Sequence, residues 1–427
     1  MNAHYGVSRW PDEKEIYAKM DRLVNEPIHH IKPEAMQKYM KYFEEKCSGS
    51  KKMIEEAKKV IPGGVQHNLA FNYPFPLVIE KAQGAYLYDI DGNRYVDYLQ
   101  AGGPTLLGSN YEPVNQKVWE VVKESGPVTG LFHPYEMKLA EKIHECMPWV
   151  EMYRCLASGT EADMVAIRIA RTYTGKQRIV KVGGAYHGWS DQLVYSLHIP
   201  YTKTFEAHGI PKEVSENTSE FFPGDVAGLR KVLEENEKAG GTAAVIIEPF
   251  GPESGTRPVA KDFAAKVREL CDEFHTLLIF DEVVTAFRVG PGGAQGYFNV
   301  KPDLTVFGKI VAGGYPMAGG VGGSEEIMSC IAAGVKAGKK KAYVGGTLTA
   351  NPLSCAAGYF AIDEIIRQDA AMKAGENGDK LCDGIQKLID KYELPFVTWN
   401  TGSIVHFEVS GVMYLSAADP DVFKKIP

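Results

Sequence analysis

Apolar residues recur every third or fourth position, among many charges, through three stretches near 12–24, 33–46 and 51–60. That period lines them along one stripe of an α-helix, so three amphipathic helices are predicted. Pro62-Gly63-Gly64 ends the run, because proline lacks the helical N–H donor and glycine readily leaves the helix. In AYLYDIDGNRYVDY at 85–98 the apolar residues alternate instead. Alternation on both sides of Asp91-Gly92 predicts a β-hairpin turning at that dipeptide.

From about residue 135 short apolar runs alternate with amphipathic stretches. Strands are predicted at 152–156, 178–182, 243–248, 277–281 and 304–307, and helices at 160–174, 225–239 and 261–274. Strands apolar on both faces, linked by helical crossovers, imply a mostly parallel sheet in an α/β fold. After about 350 a helical stretch precedes short strands near 394–398 and 403–408, which reads as a smaller α+β unit. Ligands of such sheets bind beyond the carboxyl ends of the strands, so the residues that follow each apolar run are the candidates for chemistry.

Composition narrows the setting. With 427 residues, 44% hydrophobic and 24% charged, the chain suits a soluble globular protein with a large core and more than one domain. A net charge of −7 disfavours nucleic acid or an anionic membrane as the main partner. No run of about 18 uncharged apolar residues offers a membrane span. The amino terminus, MNAHYGVSRWPDEKE, lacks the apolar core of a secretion signal. Seven dispersed cysteines without a CxxC pair suit reduced thiols and a cytoplasmic location. Many of the 44 glycines form doublets, which serve either tight turns or close backbone approach to a ligand.

Four clusters follow the apolar runs. Ser158-Gly159-Thr160 opens a helix, where free N–H groups and the positive dipole end suit a phosphate; a simple helix cap fits as well. Tyr186, in the loop GGAYHG, can lie against a planar ligand or simply pack within the loop. Asp281 closes the run Leu-Leu-Ile-Phe, a place where a carboxylate needs a cationic partner: a protonated pyridine nitrogen or a nearby arginine. Lys309 closes another run before a glycine-rich stretch, as a solvated strand-end charge or as a desolvated, nucleophilic amine. Their succession along one sheet meets the requirements of pyridoxal 5'-phosphate: a phosphate cradle, a stacking aromatic, a pyridinium partner and a Schiff-base lysine.

Taken with PGGV at 62–65, the hairpin, SGTEA, AYHG, IIEP, FDEVVTAFRV, FGK and GGTLTANPL, the chain resembles the class III aminotransferases of the fold type I pyridoxal-phosphate enzymes, from about 50 to about 408. Within the class it is most similar to the glutamate-1-semialdehyde 2,1-aminomutase-like subgroup. The resemblance implies a large mostly parallel α/β domain and a smaller α+β domain. Ser158, Gly159 and Thr160 would bind the phosphate, Tyr186 and Val283 the two ring faces, Asp281 the ring nitrogen, and Lys309 the aldehyde carbon. Glu253 would lie close to the cofactor. Thr347 would reach the phosphate of a neighbouring subunit, which implies a homodimer with shared active sites.

The aminomutase carries a substrate-binding arginine after PGGV, whereas Gln-His-Asn-Leu-Ala-Phe at 66–71 has none. The expected reaction is therefore amino transfer from an amino acid or amine to a keto acid, with an aminomutase, epimerase or racemase as the intramolecular alternative. A nucleotide- or ligand-binding α/β domain is the non-enzymatic alternative, against which no GxGxxG follows the first strand. His67 and Arg288 are candidate substrate contacts, Arg288 equally a brace for its loop. His187 reads as structural. The KAGKKK stretch at 336–341 reads as a solvated loop or a lid, and no histidine spacing suggests a metal. The expected division is a helical extension at 1–61, a hairpin-bearing segment at 62–105, a large cofactor domain at 106–345 and an incomplete small domain at 346–427.

Overall fold

The computed structural model describes residues 5–27, 30–334 and 340–419, so most of the KAGKKK stretch lies outside the described residues. The chain divides into two compact units, 27–115 and a larger one made of 1–26 with 116–427. We propose in addition a helical extension at 1–61, a hairpin-bearing segment at 62–105, a cofactor domain at 106–345 and a small domain at 346–427.

The smaller unit carries the helices Pro33–Lys46 and Ser48–Ala57 and a three-stranded antiparallel sheet, β1 Ile79–Gln83, β2 Tyr86–Asp89 and β3 Arg94–Val96. The hairpin turns at Asp91-Gly92 as predicted, with Gly92 at φ +83°. Asp89 builds the turn by accepting from the Asp91 and Asn93 N–H groups at 3.0 and 2.8 Å. Asp91 then accepts from the Gly49 and Ser50 N–H groups at 2.7 and 2.9 Å, so one turn residue satisfies donors of a helix start.

The larger unit begins with the helix Glu13–Asn25, capped by Asp12. Its seven-stranded sheet comprises β4 Met152–Leu156, β5 Arg178–Val182, β6 Thr218–Phe221, β7 Thr242–Ile247, β8 Leu277–Asp281, β9 Leu304–Gly308 and β10 Gly319–Gly323. The order is β4-β10-β9-β8-β7-β5-β6, parallel except for β10, which runs antiparallel to both neighbours. Every residue of β7, β8 and β9 is buried. The period of two sends Ala244 and Ile246 to one face, with Val165 and Ile169 of the helix Gly159–Thr174. Val245 and Ile247 go to the other, with Leu233, Phe263 and Val267. Each such aliphatic or aromatic side chain stabilises the fold by roughly 1.5–3 kcal/mol. The helices Pro352–Arg367 and Ala370–Tyr392 follow, then the hairpin of β11 Val397–Thr401 and β12 Ile404–Glu408.

Sequence periodicity did not reveal β6 or β10. The doublets Gly319-Gly320 and Gly322-Gly323 are strand, where turns or ligand approach were the expectation. A Cβ on Gly319 would collide with the Ser158 carbonyl, one on Gly320 with the Tyr153 hydroxyl and one on Gly322 with Val150. Glycine is there so that the sheet can come up against the Ser158 turn.

Candidate active site

Five strands of the sheet deliver the site. After β4, Ser158 adopts an extended conformation (φ −157°, ψ 165°) and caps the helix Gly159–Thr174, its Oγ accepting from the Glu161 N–H at 3.2 Å. Glu161 accepts in return from the Ala157 N–H at 2.9 Å. The cap residue is therefore fixed in place beside the positive end of a 16-residue helix.

After β5, the loop carrying Tyr186 passes directly over that helix start, since a Cβ on Gly188 would strike the Thr160 side chain. Tyr186 is 45% exposed, which leaves it accessible to a ligand. Its backbone N–H donates to Glu248, which follows β7, at 3.3 Å. Glu248 also accepts from the Glu253 and Ser254 N–H groups at 2.8 and 2.7 Å, gathering two loops around one buried carboxylate. Burial and the nearby Asp281 charge push the Glu248 carboxyl up to about 8. Glu253 sits in that loop at φ +49°, its side chain 3.1 Å from His198 Nε2.

At the end of β8, Asp281 is buried and accepts from His187 Nδ1 at 2.7 Å and from the Val283 N–H at 2.9 Å. Val283 wedges between two glycines: a Cβ on Gly159 would lie 2.9 Å from one of its methyls and one on Gly308 2.8 Å from the other. The Ser158 turn, Val283 and the start of the Lys309 turn thus meet at a single point. Lys309 itself is half-buried and held at φ +49°, a left-handed conformation that a lysine rarely takes outside functional sites. Burial lowers its amine's pKa, the Asp281 charge opposes that, and Arg288 adds to the lowering.

Three further candidates have surroundings of their own. Thr347 is exposed and lines a cavity of about 740 Å³, with Leu131, Phe132, Tyr153 and Cys155. His67 belongs to the smaller unit, where its Nδ1 accepts from the Leu69 N–H at 3.1 Å. Arg288 is buried, pushed down to about 10 by burial, and donates to Ser403 Oγ at 3.3 Å, next to the β11–β12 turn.

Three residues escaped the reading by strand exits. Glu248 follows an apolar run just as Asp281 does and was open to the same reasoning. Lys181 lies inside β5, fully buried, donating to the carbonyls of Ala185, Leu193 and Tyr195 at 2.8, 3.1 and 2.7 Å. It braces the Tyr186 loop, and burial pushes its amine down to about 8. Asp163, buried within the helix Gly159–Thr174, had no sequence signal at all.

The comparisons with known proteins agree with this geometry. The family model described as aminotransferase class-III matches residues 69–413. The chain belongs to the class III aminotransferases. A curated relative, glutamate-1-semialdehyde 2,1-aminomutase 1 of Lachnoclostridium phytofermentans, is 38% identical over 367 residues, covering 83% of this chain and 82% of the relative. An omega-transaminase from Sphaerobacter thermophilus superposes with a TM-score of 0.79 at 30% identity, over 90% of this chain and 87% of that one. A beta-phenylalanine aminotransferase from Variovorax paradoxus gives 0.76 at 26% identity, over 91% and 83%. This class III aminotransferase is a fold type I, pyridoxal-phosphate-dependent enzyme, and the non-enzymatic alternative falls away.

The residues present fit that cofactor. The Ser158 turn opens a helix at its positive end with glycine at 159 close against Val283, a carboxylate accepting from two N–H donors lies at the end of β8, and a desolvated amine follows β9.

The pair formed by His198 with Glu206 and Glu253 has a measurable consequence. The hydrogen bond to Glu253, followed by that to Glu206, pushes the imidazole up to about 9 against the cost of burial. A raised histidine contributes stability that is complete below its unfolded pKa, near 6.5, and is lost as pH rises through 9. Across that window the melting temperature of the native protein is expected to fall more steeply than that of His198→Gln, measured by differential scanning fluorimetry. Parallel curves would refute the assignment.

Proposed function

We propose that the enzyme moves an amino group from an amino acid or amine to a keto acid, with Lys309 as the group that bonds the cofactor and carries the proton. The single observation behind this is the meeting of the Ser158 turn and Val283 with Gly308, the residue before Lys309, with Asp281 close enough to act electrostatically on the lysine amine. Bound pyridoxal phosphate supplies an aldehyde to condense with amines and a protonated ring that withdraws electrons.

The chain's own groups do the rest. The Ser158, Gly159 and Thr160 turn would hold the phosphate at the helix start, and Tyr186 and Val283 would confine the ring from its two faces. Asp281, ionised and aligned by its two N–H donors, would keep the ring nitrogen protonated. Burial leaves a larger share of the Lys309 amine neutral, as a nucleophile and a base must be. Glu253 would close the pocket edge near the cofactor. Arg288 and His67 are the residues proposed to meet the substrate, Arg288 through a carboxylate.

Intramolecular transfer is the second reading, favoured by the 38% identity to an aminomutase. The two separate when one amino substrate is supplied without a keto acid. A transferase stops after one half-turnover per site, with the amino group left on the cofactor. Steady turnover under those conditions refutes the transferase and supports the mutase.

A homodimer with shared sites is part of the proposal. The cavity containing Thr347 is rimmed by Leu131 and Phe132, exposed by 81% and 74%, an apolar surface that isolated subunits seldom leave bare. A monomeric mass by light scattering at assay concentration would refute it. No helix among the described residues is long and apolar enough to cross a membrane. The proposed compartment is the cytoplasm, in keeping with seven free cysteines.

A further inference from the structure

Asp163, close to Asp281, is a buried residue to which the chemistry above gives no part. Asp163, His187 and Asp281 are all buried, and each offers an atom within 4.8 Å of the others. Asp163 Oδ1 and His187 Nε2 have no hydrogen-bond partner, although both are fully buried. Unpartnered polar atoms in a core are costly, and a shared proton would relieve both.

Charge decides where that proton sits. Two carboxylates this close, out of water, cannot both ionise without strong repulsion. Asp281 accepts two N–H bonds, from His187 Nδ1 and Val283, which favour its ionised form. Asp163 Oδ1 accepts none. The single negative charge therefore belongs on Asp281 and the retained proton on Asp163. With Nδ1 of His187 donating to Asp281, Nε2 is a bare lone pair and the natural acceptor for that proton. The carboxyl torsion of an aspartate is broad, so aiming the O–H at Nε2 leaves the helix backbone in place.

We propose that Asp163 is a positioning residue held as an un-ionised acid, donating its proton to His187 Nε2 and so clamping His187 and Asp281 in the orientation that meets the cofactor's ring nitrogen. Only the last clause rests on the proposed cofactor contacts; the Asp163–His187 bond stands without them. The surrounding groups support it. Burial, then the charges of Asp281 on β8 and Glu248 after β7, raise the Asp163 carboxyl well above its ordinary range. Burial lowers the His187 imidazole, with Lys181 of β5 adding to the effect and Asp281 opposing it. Lys309, after β9, is the nearby cation coupled to Asp281. At neutral pH the trio carries one negative charge, and in alkali the loss of the Asp163 proton places a second beside Asp281.

Infrared difference spectra of the native protein against Asp163→Asn, recorded both with and without cofactor, test the inference. A carboxylic-acid carbonyl band present at neutral pH in the native protein and absent from the variant is expected. It should bleach in alkali, and the native protein's cofactor dissociation constant should rise about tenfold over the same range. Asp163→Asn keeps a donor toward Nε2, so it should bind cofactor at neutral pH within a few-fold of native yet lack the alkaline rise. No difference band, or identical alkaline limbs in the two proteins, overturns the proposal. Failure of the cofactor reading is separate: it would appear as no borohydride-trapped adduct on Lys309, with the infrared band unaffected.

Discussion

Replacing Lys309 with alanine is expected to lower turnover by at least about 10⁴-fold, because one substitution removes both the covalent anchor and the proton carrier. The fold should survive. Lys309 is half-buried at φ +49°, and alanine meets the same steric penalty there, so the stability change should stay within about 1–2 kcal/mol. Two measurements check this: steady-state turnover with a responsive amino donor, and mass spectrometry after borohydride reduction. The native enzyme should retain a covalent cofactor adduct on Lys309, and the variant none. Substantial activity in Lys309→Ala would refute the assigned mechanism outright.

Asp281→Asn should separate charge from shape. The amide fills the same space, and its oxygen can still accept from His187 Nδ1 or from the Val283 N–H, so melting temperature should move by only a few degrees. What disappears is the negative charge that would hold a protonated ring nitrogen, and about a 10³-fold fall in single-turnover rate is expected. Asp281→Ala adds a structural penalty. It strips the His187 Nδ1–H of its acceptor in a fully buried position, and an unsatisfied buried donor typically costs about 1–3 kcal/mol. Wild-type rates in Asp281→Asn would show that the carboxylate has no electrostatic part in the reaction.

The candidate site was legible to unequal degrees. The exits of β4, β5, β8 and β9 could be read because an apolar run interrupted by Ser158, Tyr186, Asp281 or Lys309 is a local pattern, and parallel sheets put ligands at those ends. Glu248 obeys the same rule after β7. Asp163 and Lys181 do not: each is one polar residue inside an otherwise regular element. Its meaning comes from partners distant in the chain, Asp281 for Asp163 and the Leu193 and Tyr195 carbonyls for Lys181. Strand β10 escaped for another reason. Four of its five residues are glycine, so it carries almost no side-chain periodicity to detect.

Local chemistry alone was enough for five of the seven strands of the large sheet, three helices between them, the Asp91-Gly92 turn and the type of residue waiting after β4, β5, β8 and β9. Those follow from side-chain period and backbone preference, which act over a few neighbouring residues. Tertiary structure decided the contacts: Val283 between Gly159 and Gly308, the Gly319 backbone against Ser158, His187 against Asp281, and Thr347 in one cavity with Leu131 and Phe132. Strand order and close packing set these relations, and they join residues far apart in the chain, over a range where no local pattern carries information.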